Sequence, residues 1–129
     1  MVLYAEDIKV DKKDQLAKIE ETCLPAELIR AVFDCKGRGT GFIGLTDKRI
    51  IYYDKEHMRG SKAVVSIPYS RVTGISSEDK KGLFVKKGFF TSDKLAISSM
   101  GMESKEFEFR GSDKAHLAHN IIMEYVLEY

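Results

Sequence analysis

The sequence predicts a mainly β (α+β) domain, a barrel or sandwich of seven short strands that is capped by a C-terminal amphipathic helix. Three observations predict it. Apolar residues alternate with a period of two in about seven short runs, tight turns separate the runs, and the period becomes helical after residue 111. A chain of 129 residues fits one such domain. We assign residues 1–26 to an N-terminal helical extension and residues 27–129 to the β domain.

The N-terminal extension is expected to contain one short helix. Asp11 is a candidate N-cap, and Leu16, Ile19 and Cys23 recur at spacings of three and four, as they would along one side of a helix. Pro25 then ends the helical pattern, because proline cannot continue a helix.

The period of two defines the strands. They are predicted in the segments LIRAVFDC, FIGL, RIIYYD, KAVVSI, RVTGIS, FFTSDKLAISS and ESKEFEFR. The first of them is expected to place four apolar residues on one face: Ile29, Ala31, Phe33 and Cys35. Val72 and Ile75 are three residues apart, so that the alternation slips there and Gly74 is a candidate β-bulge.

The last segment predicts a helix that packs on the sheets. Ser112 can cap it, with Asp113 in its first turn. Its apolar residues follow the helical spacing and form one stripe: Leu117, Ala118, Ile121, Ile122, Tyr125 and Val126.

Two motifs carry a resemblance to a known family. The stretch GLTDKRIIYYDK (44–55) followed by SIPYSRVTGIS (66–76) resembles the pattern of bacterial pleckstrin-homology (PH) domain families. The order of seven strands and one helix is that of the PH superfold, and the likeness extends over residues 27–128. The resemblance implies a PH-like barrel with an interaction function, and members of such families are associated with ring-like oligomers.

The motif residues themselves are expected to have structural roles. In TDKR (46–49), the threonine and aspartate side chains should bond the local backbone while the basic pair stays solvated. Pro68 fixes the chain as it leaves a strand, and Tyr69 is expected to be half-buried beside it.

PH domains that bind phosphoinositides carry basic residues from the first loop into the second strand. Lys36 and Arg38 occupy that loop here, and Arg59 and Lys62 lie in a later loop of the same rim. The segment FIGLTD lacks the basic residues that would complete the site. These four residues are therefore candidates for binding an anion or a lipid, against the alternative of an ordinary glycine-rich hairpin.

The segment KKGLFVKKGFF (80–90) permits three interpretations. The first is a hairpin fringed by lysines, and the second is a contact with another subunit or partner through Leu83, Phe84 and Phe89. The third is docking on an anionic membrane, to which each lysine would contribute about 1 kcal/mol. We rank them in that order.

Patterns typical of catalysis and metal binding are missing from the sequence. His116 and His119 lack a third ligand nearby, Cys35 falls on an apolar face, and neither a nucleophile elbow nor a phosphate loop is present. Acidic neighbours offset the lysines of 80–90, which argues against nucleic acid. We therefore predict no enzymatic activity, no cofactor, no metal and no nucleic-acid partner.

The predicted function is that of a non-catalytic, PH-like interaction domain that forms a homo-oligomer and binds an unidentified protein partner. The alternative is weak peripheral contact with an anionic membrane or ligand. A net charge of +1 supplies no global attraction to anionic surfaces. The sequence shows neither an export signal nor a long apolar run, and its two cysteines suit reduced thiols, so the expected location is cytoplasmic.

Overall fold

The computed structural model describes residues 2–36, 40–54, 63–79, 93–110 and 113–128. Within them the chain forms eight strands, two α-helices and one short 3₁₀ turn at Tyr69–Arg71. In chain order the elements are β1 (Leu3–Val10), α1 (Lys13–Thr22), β2 (Leu28–Asp34), β3 (Thr40–Thr46), β4 (Arg49–Asp54), β5 (Ala63–Pro68), β6 (Val72–Asp79), β7 (Asp93–Ser99), β8 (Met102–Phe109) and α2 (Lys114–Val126).

The strands form two sheets. The first has the order β1-β2-β3-β4-β5, in which β2 to β5 are antiparallel and β1 runs parallel to β2. The second has the antiparallel order β6-β7-β8. A bridge between Cys35 and Phe109 joins the end of β2 to β8, so that the two sheets meet at one corner.

The main core lies between the two sheets and α2. Four residues of the predicted stripe of α2 are buried there (Ala118, Ile121, Ile122 and Tyr125), and Leu117 and Val126 pack against them partly buried, which confirms how that helix was expected to pack. Tyr69 stacks on Tyr125 at a centroid distance of 5.2 Å and donates a 2.6 Å hydrogen bond to the carbonyl of Thr46. Because the side chain is only 1% exposed, the expectation that Tyr69 is half-buried is wrong.

A second core covers the other face of the first sheet. There, α1 packs on β2, β3 and β4 with Ile19 fully buried, and Ile8 and Val10 of the outer strand β1 contact the same cluster. Ile29 belongs to this cluster together with Val32, because the register shifts between Ile29 and Ala31. Ile29 therefore does not share the face of Ala31 and Phe33, and the prediction of one common face is wrong for this residue.

The strand β1 was not predicted from the sequence, and the cap of α1 was assigned to the wrong residue. The N-cap position of α1 is Lys12, without a side-chain cap. Asp11 instead accepts a hydrogen bond from the backbone N–H of Asp34 and another from Nζ of Lys114, both at 2.9 Å. Its carboxylate thus joins β2 to α2.

The helix α2 is capped from a distant strand. Asp93, on β7, accepts hydrogen bonds from the backbone N–H groups of Lys114 (2.7 Å) and Ala115 (3.4 Å). Asp113 occupies the N-cap position with φ of 66° and makes no side-chain cap. Ser112, the predicted cap, lies outside the described residues.

Two glycines give a matched test of the packing of α1. A Cβ on Gly44 would lie 2.6 Å from Cδ1 and 2.8 Å from Cγ1 of Ile19, whereas a Cβ on Gly74 would meet nothing within 4 Å. We expect Gly44→Ala to lower the free energy of unfolding by about 1–3 kcal/mol, because Ile19 is fully buried and must shift. Urea denaturation measures the change.

The control is Gly74→Ala, at the predicted bulge, where the register does shift between Val72 and Gly74. It is expected to leave the free energy of unfolding within about 1 kcal/mol of the wild-type value. Equal midpoints for the two variants would contradict the close packing of α1 on β3.

Candidate functional site

The motif segment 46–49 forms a tight turn around Thr46. The Oγ1 atom of Thr46 accepts the backbone N–H groups of Lys48 (3.1 Å) and Arg49 (3.0 Å), which confirms the expected local bonding of the threonine. Asp47 behaves differently from the expectation. Its carboxylate accepts the N–H of Leu28 at 2.9 Å, so that it ties the turn to the start of β2 rather than to its own backbone.

Arg49 is not solvated, contrary to the expectation. Its Nε and Nη2 atoms each lie 3.0 Å from one carboxylate oxygen of Glu27, and Nη2 also donates to the carbonyl of Thr22 at 2.9 Å. The side chains of Arg49 and Glu27 are 19% and 2% exposed. A bidentate pair of this kind combines charge with two directed hydrogen bonds. Lys48, by contrast, is exposed as expected.

Glu27 is the centre of this cluster. Beyond the pair with Arg49, it accepts the hydroxyl of Thr46 at 2.6 Å and the backbone N–H of Leu24 at 2.9 Å. Burial alone would raise the pKa of Glu27, but the hydrogen bonds from Arg49 and Thr46 outweigh it and hold the pKa below its ordinary value of 4.5. Glu27 is therefore ionised at neutral pH and links α1, β2 and the β3–β4 turn.

An open groove of about 590 Å³ lies beside the ion pair. Its volume is within the range of ligand-binding sites, roughly 300–1,000 Å³. It is lined by Leu24, Pro25, Ala26, Glu27, Asp47, Lys48, Arg49 and Pro68. We call this surface the Leu24 groove. Leu24 is 66% exposed, and the neighbouring Leu3, whose N–H donates to the carbonyl of Glu27, is 47% exposed. The groove is therefore apolar with charges of both signs, not a cationic pocket.

A second, smaller cavity of about 180 Å³ lies between β6 and α2. It is lined by Val72, Thr73, Gly74, Ile75, His119, Met123 and Val126. We call it the β6–α2 cavity. Next to it, the Nδ1 atoms of His116 and His119 lie 2.8 and 2.7 Å from the hydroxyl of Ser77. In the described part of the chain, no group of three or more His, Cys, Asp or Glu side chains is placed to hold a metal ion.

Among the predicted site residues, the structure places only Lys36. Its Nζ lies 3.8 Å from the carboxylate of Glu108, and its backbone N–H donates to the carbonyl of the same residue at 2.8 Å. This anion-binding candidate therefore already faces a carboxylate. The other candidates lie outside the described residues: Arg38, Arg59, Lys62, Leu83, Phe84 and Phe89.

Neither cysteine is placed as an activated nucleophile. Burial, followed by the charge of Glu27, raises the pKa of Cys23 to about 11, so that its thiol is protonated at neutral pH. Cys35 is 2% exposed, on the inner face of β2, as expected.

A second charged network surrounds Asp34 at the far end of β2. Its carboxylate accepts hydrogen bonds from Nε2 of Gln15 (2.7 Å) and Nε of Arg110 (2.8 Å), and Nζ of Lys12 lies 3.6 Å away. Burial would raise the pKa of Asp34, but these partners lower it. The network joins α1, β2 and the end of β8, so it is a structural link rather than a binding site.

Comparison with known proteins supports the predicted fold. The family model described as "Bacterial PH domain" matches residues 24–126. The chain is also similar to the crystal structure of a pleckstrin homology domain from Shewanella amazonensis SB2B, with a TM-score of 0.62 and 21% identity over 91% of this chain and 99% of that one. No curated protein matches. The PH-like fold is thus confirmed, with β1 as an additional strand.

Neither α1 nor α2, the two α-helices in the described ranges, is both long and apolar enough to cross a membrane.

The pair of Glu27 and Arg49 makes stability depend on pH. The pKa of Glu27 is lowered in the folded state, so its contribution is fully present above about pH 4.5 and is lost as the pH falls through the folded pKa. We expect Glu27→Gln to lower the free energy of unfolding at neutral pH by on the order of 3 kcal/mol, because Arg49 loses its buried partner. This difference from the wild-type protein should shrink below about pH 4.5.

Denaturant unfolding at a series of pH values measures this difference. The matched control is Glu106→Gln, at a 65% exposed carboxylate that lies 3.7 Å from Lys94. It should change the free energy of unfolding by no more than about 1 kcal/mol. A Glu27→Gln effect that stays constant from neutral to acid pH would show that the carboxylate is not held ionised by Arg49.

Proposed function

This chain belongs to the bacterial PH-domain family, and we propose that it is a non-catalytic interaction domain that self-associates and binds a protein partner. PH domains generally mediate interactions with proteins or lipids and are generally not catalytic. The observation that carries the choice of protein over lipid is the composition of the Leu24 groove, which is apolar and carries both an acidic and a basic residue. A lipid phosphate site would instead require converging cations.

We assign the Leu24 groove to contact with a second copy of this chain. Its exposed Leu24, with Leu3 beside the groove, supplies apolar surface of the kind that marks contact sites. Asp47 and Lys48, whose carboxylate and Nζ lie 3.8 Å apart within one chain, give the patch both signs of charge, so that a two-fold contact of the patch with itself can be electrostatically complementary. A net charge of +1 opposes such a contact only weakly. The predicted contact through Leu83, Phe84 and Phe89 is a second proposed interface.

The arrangement of Lys36 favours a protein partner over an anionic surface. Its ammonium group faces Glu108, so that part of its charge is neutralised within the domain. Arg49, a basic residue of the family motif, is paired with the carboxylate of Glu27.

The molar mass in solution tests self-association. Size-exclusion chromatography with light scattering, at low and high salt, should give a defined multiple of 14.6 kDa that resists salt, because the contact is apolar. We expect Leu24→Asp to reduce the mass to that of a monomer, since it places a charge in the contact. The control Leu127→Asp changes another exposed leucine, one that does not line the groove, and should leave the mass unchanged.

A monomeric wild-type protein would contradict self-association. If the oligomer survives Leu24→Asp but is dissociated by Phe84→Asp, the interface lies in the segment 80–90 instead. Co-sedimentation with vesicles decides the membrane alternative: binding that requires anionic lipid and weakens with salt would overturn the choice of a protein partner.

A further inference from the structure

The strand β6 forms one edge of the second sheet in the described part of the chain. It pairs with β7 on one side only, in regular antiparallel register from Gly74 to Asp79. In an antiparallel pair, alternate residues exchange both backbone hydrogen bonds with the partner, and the residues between them direct N–H and C=O groups away from it. The outer side of β6 therefore presents a row of backbone donors and acceptors on a strand against which α2 packs.

Over residues 72–77, β6 lacks the charges that protect β1 and β8 against pairing, and its own charged residues, Glu78 and Asp79, lie at its end. Charged residues and proline normally blunt a sheet edge. The outer strand β1 carries Glu6, Asp7 and Lys9, and β5 ends in Pro68. The strand β8, at the opposite edge of the second sheet, carries Glu103, Lys105, Glu106 and Glu108. Residues 72–77 of β6, with the sequence VTGISS, contain neither a charge nor a proline. This stretch of β6 is thus chemically suited to accept another strand.

The β6–α2 cavity opens beside this edge. Its volume of about 180 Å³ is below the roughly 300 Å³ at which pockets for small molecules begin, so its size suits a single side chain. Val72 and Ile75 line it from the strand, and Met123 and Val126 line it from the helix. Space above Gly74 is open, since a Cβ there would meet nothing within 4 Å. The cavity is lined by these apolar side chains together with Thr73 and His119, and it accommodates an apolar side chain that approaches alongside β6.

We propose that an extended segment of a protein partner adds to β6 as a fourth strand of the second sheet and inserts one apolar side chain into the β6–α2 cavity. Backbone hydrogen bonds to β6 would supply affinity, and the cavity would select the inserted residue, as in strand addition generally. The segment would pair with residues 74–77, beyond the bulge at Gly74. This inference rests on the proposed binding of a protein partner but not on self-association, because no residue of the Leu24 groove takes part.

The first test uses a panel of short synthetic peptides in which apolar and polar residues alternate, with fluorescence anisotropy as the readout. We expect peptides with one medium-sized aliphatic residue at the inserted position to bind the full chain. Met123→Lys should weaken binding by at least about tenfold, because it places a charge in the cavity. The control Met102→Lys makes the same change on β8, at a residue that is 45% exposed, and should not alter binding.

The second test needs no protein variant, so it holds even if Met123→Lys is unstable. The tightest-binding peptide is made in two N-methylated forms. One form carries the methyl groups on the backbone amides of its odd-numbered residues, and the other carries them on its even-numbered residues; we call these the two phases. Only one set of peptide amides can face β6, so one phase should retain binding and the other should lose it. Failure of the whole panel to bind, or equal binding of the two phases, would overturn the proposal. A wild-type monomer that still binds the peptide in one phase would contradict self-association alone.

Discussion

The fold around the candidate site depends on one buried ion pair. Glu27 receives two hydrogen bonds from Arg49, one from Thr46 and one from the backbone of Leu24, and its side chain is 2% exposed. Its removal would leave a guanidinium with a buried, unmatched charge, which is costly in a protein interior. The pair therefore sets the relative positions of the segment after α1, the start of β2 and the β3–β4 turn, and its two residues are 22 apart in the chain.

The same pair shapes the surface beside it. The carboxylate of Glu27 accepts a hydrogen bond from the backbone N–H of Leu24, three residues earlier, so the chain makes a tight turn between them. In this turn Ala26 adopts a φ of 67°. Leu24 consequently faces solvent rather than the core. Because Arg49 is already paired with Glu27, Lys48 is the exposed basic side chain of the segment 46–49. The interaction that stabilises the motif thus makes its surface apolar, which is the reason for preferring a protein contact here.

Signals that repeat along the chain predicted the fold well. The alternation of apolar residues located the strands of the barrel, and all six residues of the predicted stripe of α2 contact the core, two of them partly buried. The strand β1 was not found, because Glu6 and Asp7 interrupt its alternation and its pairing with β2 shifts between Tyr4 and Lys9. The partners of Glu27 and Asp34 could not be predicted either, since they come from distant segments. The sequence did contain one signal for both networks: Glu27 directly precedes the apolar strand β2 and Asp34 ends it, and a buried acidic residue requires partners.

The two proposed surfaces constrain each other. An edge strand without charges is exposed to pairing with the same strand of another copy, and such pairing would compete with any partner segment. The bulge at Gly74 disturbs the edge locally, and α2 packs beside it, so a second copy could approach β6 only over a short length. A single extended segment needs only residues 74–77 of that edge and no room for a second folded domain beside α2. Self-association through the Leu24 groove, on residues that β6 does not contribute, would therefore leave the edge in each copy available for a partner.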